Sequence, residues 1–167
     1  MPIVFAGRVF SVEIETVRLQ GGREHRVETI RHPPSVVLLP MPDDEHVILV
    51  EQYRHSIGRR IWELPAGSQD RNESAESAAV RECEEEIALV PGRLNRLVGL
   101  FPAPGFCDEE LIYFRLSDLR PPPADSLRRP DEDEEISVRT FSLVEAKGMV
   151  ARGMIVDLKT AYGLTLV

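Results

Sequence analysis

A chain of 167 residues is long enough for one domain with a buried core, and too short for two to be expected. Its net charge of −8 argues against broad nucleic-acid binding, which wants a basic face, while 43% hydrophobic and 29% charged residues are ordinary for a soluble globular protein. With only Cys83 and Cys107, no signal-peptide pattern and no apolar run of membrane-spanning length, the expectation is a cytoplasmic protein without a disulfide framework, a zinc cluster or a membrane anchor.

Residues 3 to about 18 alternate apolar and polar, Gln20-Gly21-Gly22 is a turn signal, and Val27 to Arg31 resumes an extended pattern. These predict an antiparallel strand pair or meander, broken by Pro33-Pro34. Ser35 to Leu39 and Val47 to Glu51 are β-branched runs around a polar loop and read as buried strands paired as a hairpin. A loop with Gly58, Arg59 and Arg60 leads to a short strand, Ile61 to Leu64, and then to Gly67. The segment that follows has neither proline nor glycine and is rich in Ala, Ser and Glu, which is good helix material up to Leu89.

Leu94 to Phe101 and Glu110 to Leu116 are further strand candidates, flanking a Pro/Gly-rich loop with Pro104 and Glu109. Residues 120 to 135 follow neither period and end in an acidic run. Ile136 to Phe141 alternates as a strand, Ser142 and Glu145 form a capping-box signature for a helix to about Ala151, and Asp157 to about Leu164 reads as a last helix. The sum is an α+β domain with its sheets covered by helices.

The central helix carries the chemistry. At 100° per residue, Glu82, Glu85 and Glu86 fall within an arc of about 100°, while Ala79, Cys83 and Ile87 share an adjacent face suited to a core. Like charges at these spacings destabilise a free helix by a few tenths of a kcal/mol per pair. The stripe is therefore either a solvated acidic face or a site that wants a counterion, for which Arg81 and a divalent cation are the candidates. Among the aromatics, Tyr53, Trp62 and Phe106 are candidates to stack on a flat ring, with core packing favoured for Trp62.

The frame around the acids decides between these readings. Gly67, Glu73, Arg81-Glu82, apolar Cys83, Glu85-Glu86 and apolar Leu89 match the Nudix box, G-x5-E-x7-R-E-U-x-E-E-x-G-U with U apolar. The one departure is Ala88 in place of the pattern's glycine, which should lengthen or reshape the helix end and leave termination to Pro91-Gly92. The chain further resembles the ADP-ribose pyrophosphatase branch in EQYR at 51–54, WELPAG at 62–67, Pro104 sixteen residues past Ala88, and the acidic run near 131–135.

This resemblance implies a Nudix-type α/β/α sandwich with a mixed sheet over residues 33–167 and an N-terminal antiparallel strand unit, 1–32, that mediates a homodimer. It implies hydrolysis of ADP-ribose, or a related nucleoside diphosphate sugar, to AMP and ribose 5-phosphate with Mg²⁺, or Mn²⁺ or another divalent ion. The metal ligands would be Glu82, Glu86, Glu85 and the carbonyl of Ala66, with Arg81 orienting the glutamates. Glu132 is the first candidate for the base and Glu134 the second. Arg54 would sit near the phosphates, Glu109 and Glu63 would accept ribose hydroxyls or a metal water, and Pro104 would shape the substrate loop. GDP-mannose, FAD or NADH as substrate, and a non-catalytic nucleotide sensor, are the competing readings.

Overall fold

A computed structural model describes residues 2–126 and 135–167. The N-terminal meander comprises β1 (Ile3–Ala6), β2 (Ser11–Arg18) and β3 (Glu24–Arg31) in one antiparallel sheet. Its β2–β3 turn uses Gly21 and Gly22 at φ of 92° and 79°, a region only glycine enters freely.

Among the described residues, the other strands form two sheets. The mixed sheet runs β7 (Ala66–Ser68), β4 (Ser35–Pro40), β9 (Leu111–Arg120), β8 (Val90–Leu100), with β4 and β9 parallel and the other pairs antiparallel. The antiparallel sheet runs β10 (Ser137–Ser142), β5 (His46–Arg54), β6 (Arg59–Glu63). Thus β4 and β5 are not the hairpin their sequences suggest. Every residue of β4 is buried, as befits an interior strand, and both of its edges are taken, by β7 and β9. The loop between β4 and β5 instead carries the chain into the second sheet, where β5 forms its hairpin with β6 around Gly58 at φ 67°.

Side chains alternate across the sheets and build two cores. Val36, Leu38, Ile48 and Val50 point to one side and pack with Ala78, Ala79, Cys83 and Ile87 of α1 (Ala75–Ile87). Val37, Leu39, Val47 and Leu49 point to the other and pack with Ala146 and Met149 of α2 (Leu143–Ala151) and with Leu164. The short α3 (Leu158–Gly163) lies on the same side; a Cβ on Gly163 would stand 2.5 Å from Leu64 and 3.3 Å from Tyr113, so only glycine lets it approach this closely. The result is the layered α/β/α arrangement of an α+β domain. Among the described residues all three helices open on side-chain caps: Ser74 accepts from Ser77 N–H, Ser142 from Glu145 N–H, and Asp157 from Thr160 N–H. Among the described residues no helix is long and apolar enough to cross a membrane.

The N-terminal meander is tied to the loop after β8. Ile30 N–H donates to the Phe106 carbonyl at 2.8 Å, Asp108 N–H to the Ile30 carbonyl at 3.1 Å, and the Asp108 carboxylate accepts from Arg31 and from His32 N–H.

The end of α1 differs from expectation. The helix is not lengthened: Ala88 itself takes the left-handed conformation, φ 54° and ψ 39°, and its N–H closes on the Glu84 carbonyl at 3.1 Å. Pro91 and Gly92 lie inside β8, an edge strand, where a proline is tolerated. The position thus keeps the backbone that the pattern's glycine would supply, at the steric cost an alanine Cβ carries there. Ala88→Gly should raise stability by about 1 kcal/mol, a rise in Tm of roughly 2–4 °C, measured by thermal unfolding; an unchanged or lower Tm would contradict the strain.

Candidate active site

The site begins where β7 folds back along β4 and its backbone meets α1. Ala66 and Gly67 pair with Val37 and Val36, which fixes their height against the helix. A Cβ on Gly67 would fall on the carboxylate of Glu82, so the glycine is what lets that carboxylate lie against the chain. One turn further on, Glu86 accepts from Ala66 N–H at 3.3 Å. Glu82 and Glu86 are 8% and 4% exposed, so the stripe is not a solvated acidic face.

Arg81 gathers the acids. Its Nε and Nη2 donate to the two oxygens of Glu73 at 3.0 and 2.8 Å, and its Nη1 to Glu82 at 2.6 Å and Glu85 at 3.0 Å. Nη2 also donates to the carbonyl of Ser68 at 3.0 Å, tying the helix to β7. The Glu73 pair, with Glu82 and Glu85 adding to it against the opposing effect of burial, holds this guanidinium well above its ordinary value and therefore charged at every accessible pH. Cys83, one residue on, faces the core, and burial pushes its thiol up to about 12, so it is no nucleophile.

Four carboxylates and a backbone strand form a set of hard oxygen donors that suits a divalent cation. Among the described residues, no three acidic, His or Cys side chains converge as a finished ligand cage. Glu82 and Glu85 are instead bridged by Arg81.

The acids form one wall of a cleft of about 1080 Å³. Ala66, Arg81, Glu82 and Glu85 line it; Glu86 does not reach its surface. Arg54 lines the cleft as well, with Nε and Nη2 paired to the Glu63 carboxylate at 2.7 and 2.8 Å. Glu63 is not placed as an acceptor at the cleft surface. It is 1% exposed, held by Arg54 on one side and by Lys159 on the other. Burial pushes its carboxyl up, but the two cations outweigh this and leave it below the ordinary carboxylate range.

Glu109 lines the cleft, accepts from Ser35 Oγ at 2.7 Å and stands 3.6 Å from His32 Nδ1. Pro104 is exposed and outside the lining, where Pro102 stands instead. Of the three aromatics, Tyr53 lines the cleft in an edge contact with His55, whereas Trp62 packs edge-on against Phe141 with ring centres 4.9 Å apart. Glu132 and Glu134 lie outside the described residues.

Sequence reasoning missed Lys159, Gln52 and Ser35. All three line the cleft, and nothing local marks a lone lysine or serine as part of a site. The helix cap Asp157, two residues before Lys159, is the nearest signal. Arg81→Met would leave Glu73, Glu82 and Glu85 facing one another without their shared partner. It should lower unfolding stability by about 3 kcal/mol in a urea titration, and a loss under about 1 kcal/mol would mean the guanidinium is not the tie described here.

The chain matches the NUDIX domain family over residues 31–158. It is 33% identical over 161 residues to the ADP-ribose pyrophosphatase of Bacillus subtilis (strain 168), covering 96% of this chain and 86% of that protein. It is 35% identical over 155 residues to the ADP-ribose pyrophosphatase of Mycobacterium tuberculosis (strain ATCC 25618 / H37Rv), covering 90% and 72%. Among solved structures, one described as an ADP compounds hydrolase has the same fold, with a TM-score of 0.85 at 24% identity, over 99% of this chain and 88% of that one. With the Gly67–Glu82 contact and the Arg81 cluster where the box requires them, this chain belongs to the Nudix hydrolase family, within the branch whose members carry the name ADP-ribose pyrophosphatase.

Proposed function

We propose that this enzyme hydrolyses the pyrophosphate bond of a nucleoside diphosphate linked to a sugar, with ADP-ribose the first choice and AMP and ribose 5-phosphate the products. The observation that carries the reading is a cleft that brings two kinds of charge together. Glu82 and Glu85 line it beside the Ala66–Gly67 backbone, and Arg54 and Lys159 line it from other elements. The names of the two relatives favour ADP-ribose over GDP-mannose, FAD or NADH.

In the reaction, water adds to one phosphorus, the bridging P–O bond breaks, and the bridging oxygen leaves on the other phosphate. A divalent cation, Mg²⁺ by default, held by Glu82, Glu86 and the carbonyl of Ala66, would supply neutralising charge to the phosphate oxygens. Arg81 keeps Glu82 and Glu85 in place, and Arg54 meets the charge of the phosphate chain. Glu109, fixed by Ser35, accepts from a ribose hydroxyl. The proton of the attacking water goes to Glu132, with Glu134 as the alternative, on the resemblance to the branch.

The N-terminal unit, residues 1–32, is proposed to pair two copies. Ile3, Val4 and Phe5 of its edge strand are each more than half exposed and apolar, a surface that wants a cover. A cytoplasmic setting accords with Cys83 and Cys107 being unpaired thiols.

Glu82→Gln should lower metal-dependent kcat on ADP-ribose by at least about 100-fold, read by steady-state AMP release; retained turnover would remove this site, and no turnover in the wild type would favour a sensor. Across a panel of dinucleotides and nucleotide sugars, ADP-ribose should show the highest kcat/KM; an equal value for GDP-mannose would overturn the substrate. Of Glu132→Gln and Glu134→Gln, one should lower kcat by at least about tenfold, and two unaffected variants would end general-base catalysis from this run.

A further inference from the structure

The cleft holds a set of charges that the reaction as described does not use. Lys159 lies at the start of α3, and its ammonium contacts Glu63 and, at 2.9 Å, Asp157. Asp157 is occupied in turn by Thr160, whose N–H and Oγ donate to it at 2.9 and 2.6 Å. The backbone beneath is pinned as well. Leu64 N–H donates to Thr160 Oγ1 at 2.7 Å, and Tyr113 donates its hydroxyl proton to the Lys159 carbonyl at 3.1 Å. Gly163 allows α3 to sit close enough on Leu64 and Tyr113 for these bonds to form. A long side chain normally free to rotate is therefore fixed at both ends, with only 13% of it exposed.

Glu63 is the centre of this arrangement. A carboxylate that is 1% exposed is costly unless its charge is met, and here it is met from two sides, by Arg54 from β5 and by Lys159 from α3. Sharing has two consequences. The position of Glu63 is determined by two elements rather than one, so the Arg54 guanidinium that it grips by two hydrogen bonds is aimed as well. Glu63 also divides its charge between two cations, so it neutralises Arg54 less than it would in a simple pair. A cleft that receives a phosphate chain gains from both.

We propose that Lys159 is a positioning residue for substrate binding, acting through Glu63 on Arg54. Through this relay the C-terminal helix sets the cation that meets the phosphates. The proposal rests on the reading of Arg54 as a phosphate contact.

The test is a double-mutant cycle on ADP-ribose hydrolysis with the full chain and saturating Mg²⁺. Lys159→Met should raise KM about tenfold with kcat within about twofold of wild type, the pattern of lost uniform binding. Lys159→Arg, which keeps a cation against Glu63, should recover most of the loss. Arg54→Gln should raise KM by itself, and adding Lys159→Met to it should raise KM no further. If Lys159→Met does not fold, Asp157→Asn keeps the helix cap, loosens Lys159 and should raise KM about threefold. Raised KM in Arg54→Gln beside wild-type KM in Lys159→Met, or in its substitute Asp157→Asn, overturns the relay alone. Full additivity of the two losses does the same, because it would mean that Lys159 acts independently of Arg54. Wild-type KM in Arg54→Gln overturns the relay together with the reading of Arg54.

Discussion

The site depends on the close approach of a bare backbone to a carboxylate. Gly67 offers no side chain to Glu82, and that absence lets strand β7 lie flat against helix α1. Everything chemical follows from this contact. Glu82 and Glu86 are brought under a strand rather than into bulk water, and Ala66 is close enough to donate to Glu86. Packing carboxylates at helical spacing opposes helix formation by mutual repulsion. Arg81 reverses the sign by serving Glu73, Glu82 and Glu85 at once and by reaching across to the Ser68 carbonyl. A buried charge stripped of its partner is among the more destabilising features a fold can contain, so the cluster is both the tool and part of the structure that holds it.

The rest of the chain brings the other residues of the cleft. A central strand buried on both faces, β4, has no edge left for β5, and the chain must open a second sheet. The cleft gathers residues from both sheets: β7 brings the backbone over the acids and β5 brings Arg54. Helix α3, docked through Gly163 on the face opposite α1, brings Lys159 to the same cleft. The proposed metal ligands and the proposed phosphate contact Arg54 are thus held on separate elements, which lets each be stabilised locally before substrate joins them.

What was legible in the sequence is what a single helix encodes. Gly67, Glu73, Arg81, Glu82, Glu85 and Glu86 lie on one short contiguous stretch, from β7 through a turn into α1, so their spacing constrains their geometry, and the structure brings them together. The face formed by Ala79, Cys83 and Ile87 was readable for the same reason. Pairing between buried strands was not readable, because a β-branched run states that it is interior and says nothing about its neighbours. Ala88 was expected to lengthen or reshape the helix end and leave termination to Pro91-Gly92; the helix instead stops at Ile87, because local propensity was outweighed by the turn into β8. Glu63 shows the same limit. A glutamate beside a catalytic motif reads as a cleft acid, whereas its direction into the fold is set by Lys159, ninety-six residues away.

Glu82 and Glu86, under the Ala66–Gly67 backbone, are the proposed holders of a divalent cation for pyrophosphate cleavage. The most direct measurement is Mn²⁺ binding followed by electron paramagnetic resonance, in wild type and in Glu86→Gln, without substrate or turnover. Glu86 is suitable because it accepts from Ala66 N–H and does not line the cleft, so its loss reports on the metal rather than on the nucleotide. Wild type should take up Mn²⁺, and Glu86→Gln should weaken this uptake by at least about tenfold, since losing a ligand should cost no less than losing a residue that only orients one. Equal Mn²⁺ binding by the two proteins would contradict it.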